Sequence, residues 1–395
     1  MSHWTTERID NLCNISSGGT PSRNNTRYWM NGAIPWVKIG DIKGMYVNSC
    51  GEFITQEGLE NSSAKLFRKG TILFSIFASL GEVAIFNIDA TTHQAIARIE
   101  IKEQGRLDSK FLFYFLKSIK TDILLKGRGV AQNNINLSIL REYPIPLPPI
   151  DTQRKIAAIL DKAQELIDLR KAQIEKLDDF LRSVFLDMFG DPVTNPKGWD
   201  RNKLETAVKV IGGYAFPSEY FVQTGIPLIK IGTVNKGYFD VTTLSYWPLD
   251  YVHKLRKYEV YPGDLLITLT GTVGKEDYGN VCIAPNIFEK YLLNQRVAKL
   301  ELNHALCSQY LVYCLRHEKM KRSLTSVSRG VRQANISNND IYELEMSIPP
   351  IPLQQQFAAI VEKTEQQKAL MQQSLTEMDN NFNSLMQRAF RGELF

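Results

Sequence analysis

Two long stretches of this chain place apolar residues at alternating steps of four and three. In the first, Ile156, Leu160, Ala163, Ile167, Ile174, Leu177, Leu181, Val184 and Met188 keep the rhythm, broken at Arg170. In the second, Phe357, Val361, Thr364, Met371, Leu375, Met378, Phe382, Leu385 and Ala389 keep it, broken by Lys368 at the equivalent place. Spacing of this kind over about five heptads predicts two helices that pair as a coiled coil. The plainer alternative is that each helix packs only on its own globular unit. At ~1.5 Å per residue each rod would span on the order of 55 Å. Proline-rich segments at 143–149 and 348–352 precede the stretches and enforce an extended entry. Asp151 is then a candidate N-cap and Pro352 suits a first helical turn, while Gly190-Asp191-Pro192 and Gly392 supply stops.

Before each helical stretch the pattern changes to short β-branched or aromatic runs bounded by glycines and polar clusters. Ile34-Pro35-Trp36-Val37-Lys38-Ile39 and Gly70-Thr71-Ile72-Leu73-Phe74-Ser75-Ile76 predict strands. Phe111, Leu112, Phe115 and Leu116 sit at helical spacing and predict a helix over 109–119. The second half repeats the order with Ile226-Pro227-Leu228-Ile229-Lys230-Ile231, then Leu265-Leu266-Ile267-Thr268, then Tyr310-Leu311-Val312-Tyr313. Trp36 and the aromatic residues at 111–115 are expected in the core.

The repetition is literal in places. Gly129-Val130-Ala131-Gln132-Asn133-Asn134-Ile135 lies parallel to Gly330-Val331-Arg332-Gln333-Ala334-Asn335-Ile336, and Pro148-Pro149-Ile150 to Pro349-Pro350-Ile351. The shift from Gly129 to Gly330 and from Pro148 to Pro349 is the same, 201 residues. The expected organisation is α+β: two mixed α/β domains at 1–150 and 191–350, followed by long helices at 151–190 and 351–395, the helices pairing antiparallel.

Composition narrows the function. The net charge of +5 permits nucleic-acid binding without demanding it. The five cysteines form no C-x-x-C pair, which points to a reducing cytoplasm, and the five scattered histidines show no metal-ligand spacing and read as structural or surface residues. No apolar run approaches the ~18 residues of a membrane span, and the first residues carry no signal-peptide core.

The usual catalytic signatures are missing. Gly271-Thr272-Val273-Gly274-Lys275-Glu276 has Leu269 where a phosphate loop needs its first glycine and Glu276 where it needs a hydroxyl. Glu100 and Lys102, with Asp89 upstream, could serve a magnesium-dependent nuclease. Their counterparts in the repeat, Glu301 and Asn303, do not preserve the set. No methyl-transfer tetrad, G-x-S-x-G or H-E-x-x-H occurs, so neither a catalytic centre nor a cofactor or metal site is expected.

The layout resembles the specificity subunits of type I restriction–modification enzymes. The likeness rests on Gly-Val-x-Gln-x-Asn-Ile at 129–135 and 330–336 and on the Pro-Pro-Ile helix entries. Gly-Asp-Leu-Leu-Ile at 263–267, Gly-Thr-Val-Gly-Lys at 271–275 and the terminal Ala389-Phe390-Arg391-Gly392-Glu393-Leu394 add to it. The first half departs at Ala78-Ser79-Leu80-Gly81-Glu82. The resemblance implies a non-catalytic reader whose two target recognition domains each take one half of a split DNA site. It also implies helices that set the spacer and dock two methyltransferase subunits carrying S-adenosylmethionine, with two restriction subunits that translocate DNA using ATP.

Base edges and phosphates would then be met by loop residues. In the first half the candidates are Lys38, Lys126, Arg128, Lys155 and Gln132; in the second, Lys230, Lys236, Lys275, Arg329, Arg332 and Gln333. Gln132 and Gln333 recur, so they equally suit a loop-bracing role. Specificity is sought where matched positions differ: Asp41 against Thr233, Phe77 against Thr270, Glu82 against Lys275, Ala95 against Arg296, and Ala131 against Arg332. The competing readings are the Glu100/Lys102 nuclease and a coiled-coil scaffold without a DNA role. Two heads on one face of a duplex imply half-sites about one turn, ~10 bp, apart centre to centre. Inserting one helical turn within 160–180 is therefore expected to change the spacer and leave both half-sites intact in methylome sequencing; altered half-site sequences would contradict the ruler.

Overall fold

A computed structural model of the chain describes residues 4–77, 79–127, 135–272, 275, 277–326 and 333–394. Two compact units result, one comprising Met1–Ala172 with Gln372–Phe395, the other Gln173–Met371. The long helices run Ile150–Phe189 and Ile351–Phe390, so each helix contributes to both units.

In the first unit, the runs Ile72–Ser75 and Val83–Phe86 are buried at every position, which places them inside a sheet rather than on its edge. The five-stranded order is Cys13–Ser17, Ile96–Ile101, Ile72–Ser75, Val83–Phe86, Tyr46–Val47. Its pairings are antiparallel except the last. A smaller sheet joins Phe53–Ile54, Ile34–Val37 and Thr91–Thr92. Val37, Val47, Leu73, Ala84, Phe86 and Ile96 share one core cluster. The predicted helix spans Ser109–Ser118, and the Asp108 carboxylate caps it by accepting from the N–H groups of Lys110 and Phe111, each at 3.0 Å. Phe111 through Leu116 are buried, as is Trp36.

The second unit repeats the plan with two four-stranded sheets. One is ordered Val208–Gly212, Val297–Leu302, Leu265–Thr268, Val281–Ile283; the other Ser245–Trp247, Ile226–Ile229, Tyr291–Leu293, Glu259–Val260. Helix Ser308–Arg316 corresponds to Ser109–Ser118.

Within each unit one short helix carries both long ones. In the first unit, Lys110 Nζ and Tyr114 Oη donate to Asp161 at 2.5 and 2.7 Å, while Phe111 and Phe115 meet the Phe390 ring edge-on. In the second, Tyr310 packs on Phe185 and Phe189, and Tyr313 packs on Phe357. Asp178 accepts from Lys368 at 2.5 Å, and Phe185 and Phe189 face Phe357, so the second helix retreats as the first advances. The pair is antiparallel. Pairing and packing on a globular unit, set against each other as alternatives above, occur together.

That double duty corrects the predicted stripes. Val184, Met188 and Leu385 are only half-buried, whereas Phe185, Phe189 and Met386 are buried. Near the C-terminal end of each helix the buried arc is rotated by one position, and in the first helix Phe185 and Phe189 there meet Tyr310 of a short helix. Asp151 is likewise not the cap. The first long helix begins at Ile150, the Thr152 and Gln153 N–H groups donate to Pro149 O, and Asp151 is an exposed first-turn acid beside Arg154. Gly190 and Gly392 close the helices at positive φ (79° and 73°).

Each long helix leaves its head through a buried glutamine in its first turn. Gln153 Nε2 donates to Arg106 O and Pro148 O (3.0 and 2.8 Å), and its Oε1 accepts the Asp108 N–H (2.9 Å). Gln354, the repeat counterpart, donates to Ala305 O and Pro349 O (3.0 and 2.7 Å) and accepts the Cys307 N–H (2.8 Å). Both side chains have no exposed surface. Truncation would leave three backbone groups without their side-chain partner, one of them fully buried, so Gln153→Ala and Gln354→Ala are each expected to cost roughly 2–3 kcal/mol in urea unfolding. A loss below ~0.5 kcal/mol, ordinary for surface sites, would show that the glutamines do not hold the joint.

Candidate nucleic-acid interface

Backbone hydrogen bonds gather the candidate loops of each unit into one rim. In the first unit, His93 N–H donates to Val37 O (2.9 Å), Ile76 N–H to Ala95 O (2.9 Å) and Ile135 N–H to Ile76 O (3.1 Å). The second unit repeats the stitching: Asn294 N–H to Ile229 O (3.0 Å), Leu269 N–H to Arg296 O (3.0 Å) and Ile336 N–H to Leu269 O (2.8 Å). The loops after the strands Ile34–Val37 and Ile226–Ile229, far apart in sequence from those at 76–82 and 269–275, are thus brought side by side in their own units.

On the first rim, Phe77 is exposed and Lys38 half-exposed. On the second, Arg296 and Lys275 are exposed, Lys230 and Thr270 intermediate. Other candidates have different work. The Asp41 carboxylate accepts the Lys38 N–H (2.8 Å) and closes the turn Ile39–Asp41. Thr233, its counterpart, has no exposed surface, accepts the Lys230 N–H (3.2 Å) and bonds Thr243 (3.2 Å). Both side chains are thus engaged in closing turns, and Ala95 is buried. Glu82 pairs with Lys120 (2.6 Å) and Lys236 with Asp240 (2.8 Å). Lys155 is exposed on the second turn of the long helix. Lys126 belongs to the helix Lys120–Gly127, and Gln333 opens a strand whose partner is Thr270–Thr272. Arg128, Ala131, Gln132, Arg329 and Arg332 lie outside the described residues.

Beside Lys38 stands a cluster the sequence did not single out. Glu52 binds the Lys38 ammonium through Oε1 and the Arg23 guanidinium through Oε2 (2.6 Å). Lys38 and then Arg23 hold its carboxyl below the usual range, against the burial that raises it. The Arg23 guanidinium lies 3.7 Å from the Trp29 ring centre and 4.6 Å from that of Trp36. Trp36 Nε1–H donates to Gly19 O (2.9 Å) and Trp29 Nε1–H to Ser22 O (3.0 Å), which pins the loop carrying Arg23. His93 meets Trp36 edge-on at 5.4 Å, and its Nδ1 accepts the Ala95 N–H (3.0 Å). Burial, with Arg23 and Lys38 nearby, lowers the His93 pKa; the ring stays neutral near pH 7, with its proton on Nε2. Arg23, Lys38, Glu52 and His93 come from four separate segments, united by strand register and by the indole hydrogen bonds that pin the Arg23 loop.

The nuclease alternative is not favoured. Lys102 Nζ donates to Asp10 O (2.7 Å), and the Asp89 carboxylate accepts the Lys69 N–H (2.8 Å), so both serve turns. Among the described residues no group of three His, Cys, Asp or Glu side chains could hold a metal ion. No helix among them is long and apolar enough to cross a membrane.

Comparison with known proteins agrees with this geometry. The chain is 27% identical over 418 residues to the MjaIX type I restriction enzyme specificity subunit of Methanocaldococcus jannaschii, covering 99% of this chain and 93% of that protein. It is 31% identical over 183 residues to the EcoR124I/EcoR124II specificity subunit of Escherichia coli, covering 42% and 45% of the two chains. Its fold matches a chain from a structure of type I R-M complex assembly and conformational transition (TM-score 0.63, 18% identity, 99% and 98% covered). It also matches the type I restriction–modification S subunit of M. genitalium (TM-score 0.52, 17% identity, 98% and 96% covered). The family described as the type I restriction modification DNA specificity domain matches residues 1–179 and again 196–380. A duplicated head, a paired stalk and a family match across both halves lead to one conclusion: the chain belongs to the type I restriction–modification DNA specificity family.

Proposed function

We propose that this chain is the DNA-reading subunit of a type I restriction–modification complex in the cytoplasm, with residues 1–150 and 191–350 as target recognition domains. The helices at 151–190 and 351–395 set the spacer between half-sites and dock two methyltransferase subunits that bind S-adenosylmethionine; two restriction subunits join the larger assembly. Chemistry resides in those partners. The observation that carries the reading is the pair of rims: the same hydrogen-bond frame recurs in both units while the side chains on it differ. Shared scaffolding with divergent tips is what recognition of two unlike half-sites requires.

On this reading Lys38, Lys230 and Lys275 engage phosphates, and Phe77, Thr270 and Arg296 face base edges. On the same reading Lys126, Arg128, Gln132, Arg329, Arg332 and Gln333 make further contacts to the DNA backbone. Asp41 and Thr233 brace the turns behind the reading surface, and Glu82 and Lys236 act through their ion pairs.

The test uses the chain bound to its methyltransferase partner and duplexes carrying the motif that methylome sequencing reveals. Specific binding should exceed non-specific binding by roughly 10³ or more and weaken steeply with salt. Lys230→Ala and Lys275→Ala should each weaken binding evenly across sequences and flatten the salt slope by about one. Absence of salt-sensitive DNA binding with the partner present would overturn the proposal in favour of a scaffold.

A further inference from the structure

We propose that Arg23, flanked by Lys38 and His93, is a base-reading residue of the first head and that it takes the major-groove edge of a guanine. The inference rests on the DNA-reading function proposed above and adds a residue and a base to it.

Three observations carry it. The first is position: His93 is bonded to the end of the Lys38 strand, and Ala95 to the start of the loop at 76–82, so the cluster lies on the rim itself. The second is preorganisation. Arg23 is half-exposed, yet its guanidinium is stacked on Trp29, one Nη is taken by Glu52, and both indoles clamp the loop beneath it. An arginine held this way loses little side-chain entropy on meeting a ligand and presents a planar fork of donors. Its charged neighbour Lys38 donates only, and the neutral His93 ring donates through Nε2–H. Guanine, with N7 and O6, shows two adjacent acceptors in the major groove, and arginine pairs with them bidentately.

The third observation is the repeat. Ser17 pairs with Ala97 and Gly212 with Ala298, which makes Gly18 and Gly213 equivalent. A Cβ at Gly18 would lie 2.2 Å from His93 O, and one at Gly213 2.3 Å from Asn294 O, so both loops leave their sheets through the same close approach. Beyond it the second loop is one residue longer, and with that insertion Pro21-Ser22-Arg23 aligns with Pro217-Ser218-Glu219. Register likewise matches Glu52 with Ser245, which accepts from Lys230 Nζ at 2.7 Å. At these matched positions the first head carries Arg23, Glu52 and His93, and the second carries Glu219, Ser245 and Asn294. The donor-rich tip is specific to the first head.

The experiment sequences the methylome made by the intact chain with its methyltransferase partner, for wild type, Arg23→Ala and Arg23→Lys. A bipartite wild-type motif upholds the underlying function; its absence would overturn that function and this inference together. Given the motif, both variants are expected to relax one G·C position in one half-site, lowering the preference for guanine there roughly ten- to hundred-fold, with the other half-site unchanged. Lysine keeps the charge but lacks the fork, so Arg23→Lys decides the matter even where Arg23→Ala fails to fold. The inference is overturned, with the two-head function intact, if Arg23→Lys methylates the wild-type motif with undiminished preference. Even weakening at every site in Arg23→Ala, restored in Arg23→Lys, would assign Arg23 to a phosphate instead and equally overturn it.

Discussion

A rigid joint between head and stalk is the constraint on which this architecture depends. A helix used as a ruler measures nothing if its attachment swivels. Gln153 and Gln354 meet that need with a side chain that has no exposed surface and matches three backbone groups at once. The groups matched include the N–H of Asp108, whose carboxylate in turn caps the short helix on which both long helices rest in the first unit. The joint therefore fixes the start of the stalk and the position of its supporting helix together. An apolar residue there would bury area but leave the carbonyls unpaired, a cost on the order of 1–3 kcal/mol for each group.

The heads separate frame from tip. Main-chain hydrogen bonds between strand ends define where the loops stand, and these recur in both units irrespective of side chain. The polar residues that recur, or that swap between acid and hydroxyl such as Asp41 and Thr233, are consumed in closing turns behind the rim. What varies without structural penalty is the layer beyond. There the first head gathers cations around one carboxylate, while the second keeps a lysine against a serine. A duplicated scaffold of this kind lets recognition diverge without disturbing the core that supports it.

How much the sequence determined by itself follows from the range of each signal. Duplication, the two long helices, their glycine stops and the buried aromatic helix all rest on local periodicity or on direct repetition, and the structure agrees with them. The tertiary structure decided the rest because the relevant partners are distant in the chain. Phe185 and Phe189 turn inward where Tyr310 of a short helix adds a third surface to a two-helix seam. Asp41 and Thr233 looked like divergent readers from their matched positions, but their side chains close turns, a fact of φ and ψ rather than of residue type. Arg23, Glu52 and His93 were silent in sequence for the opposite reason: each is unremarkable alone, and strand pairing across Pro35–Phe53 and Trp36–Thr91 sets Glu52 and His93 around one lysine while two indoles pin the loop that brings Arg23. Periodicity is written along a chain, whereas a charge cluster is assembled across it.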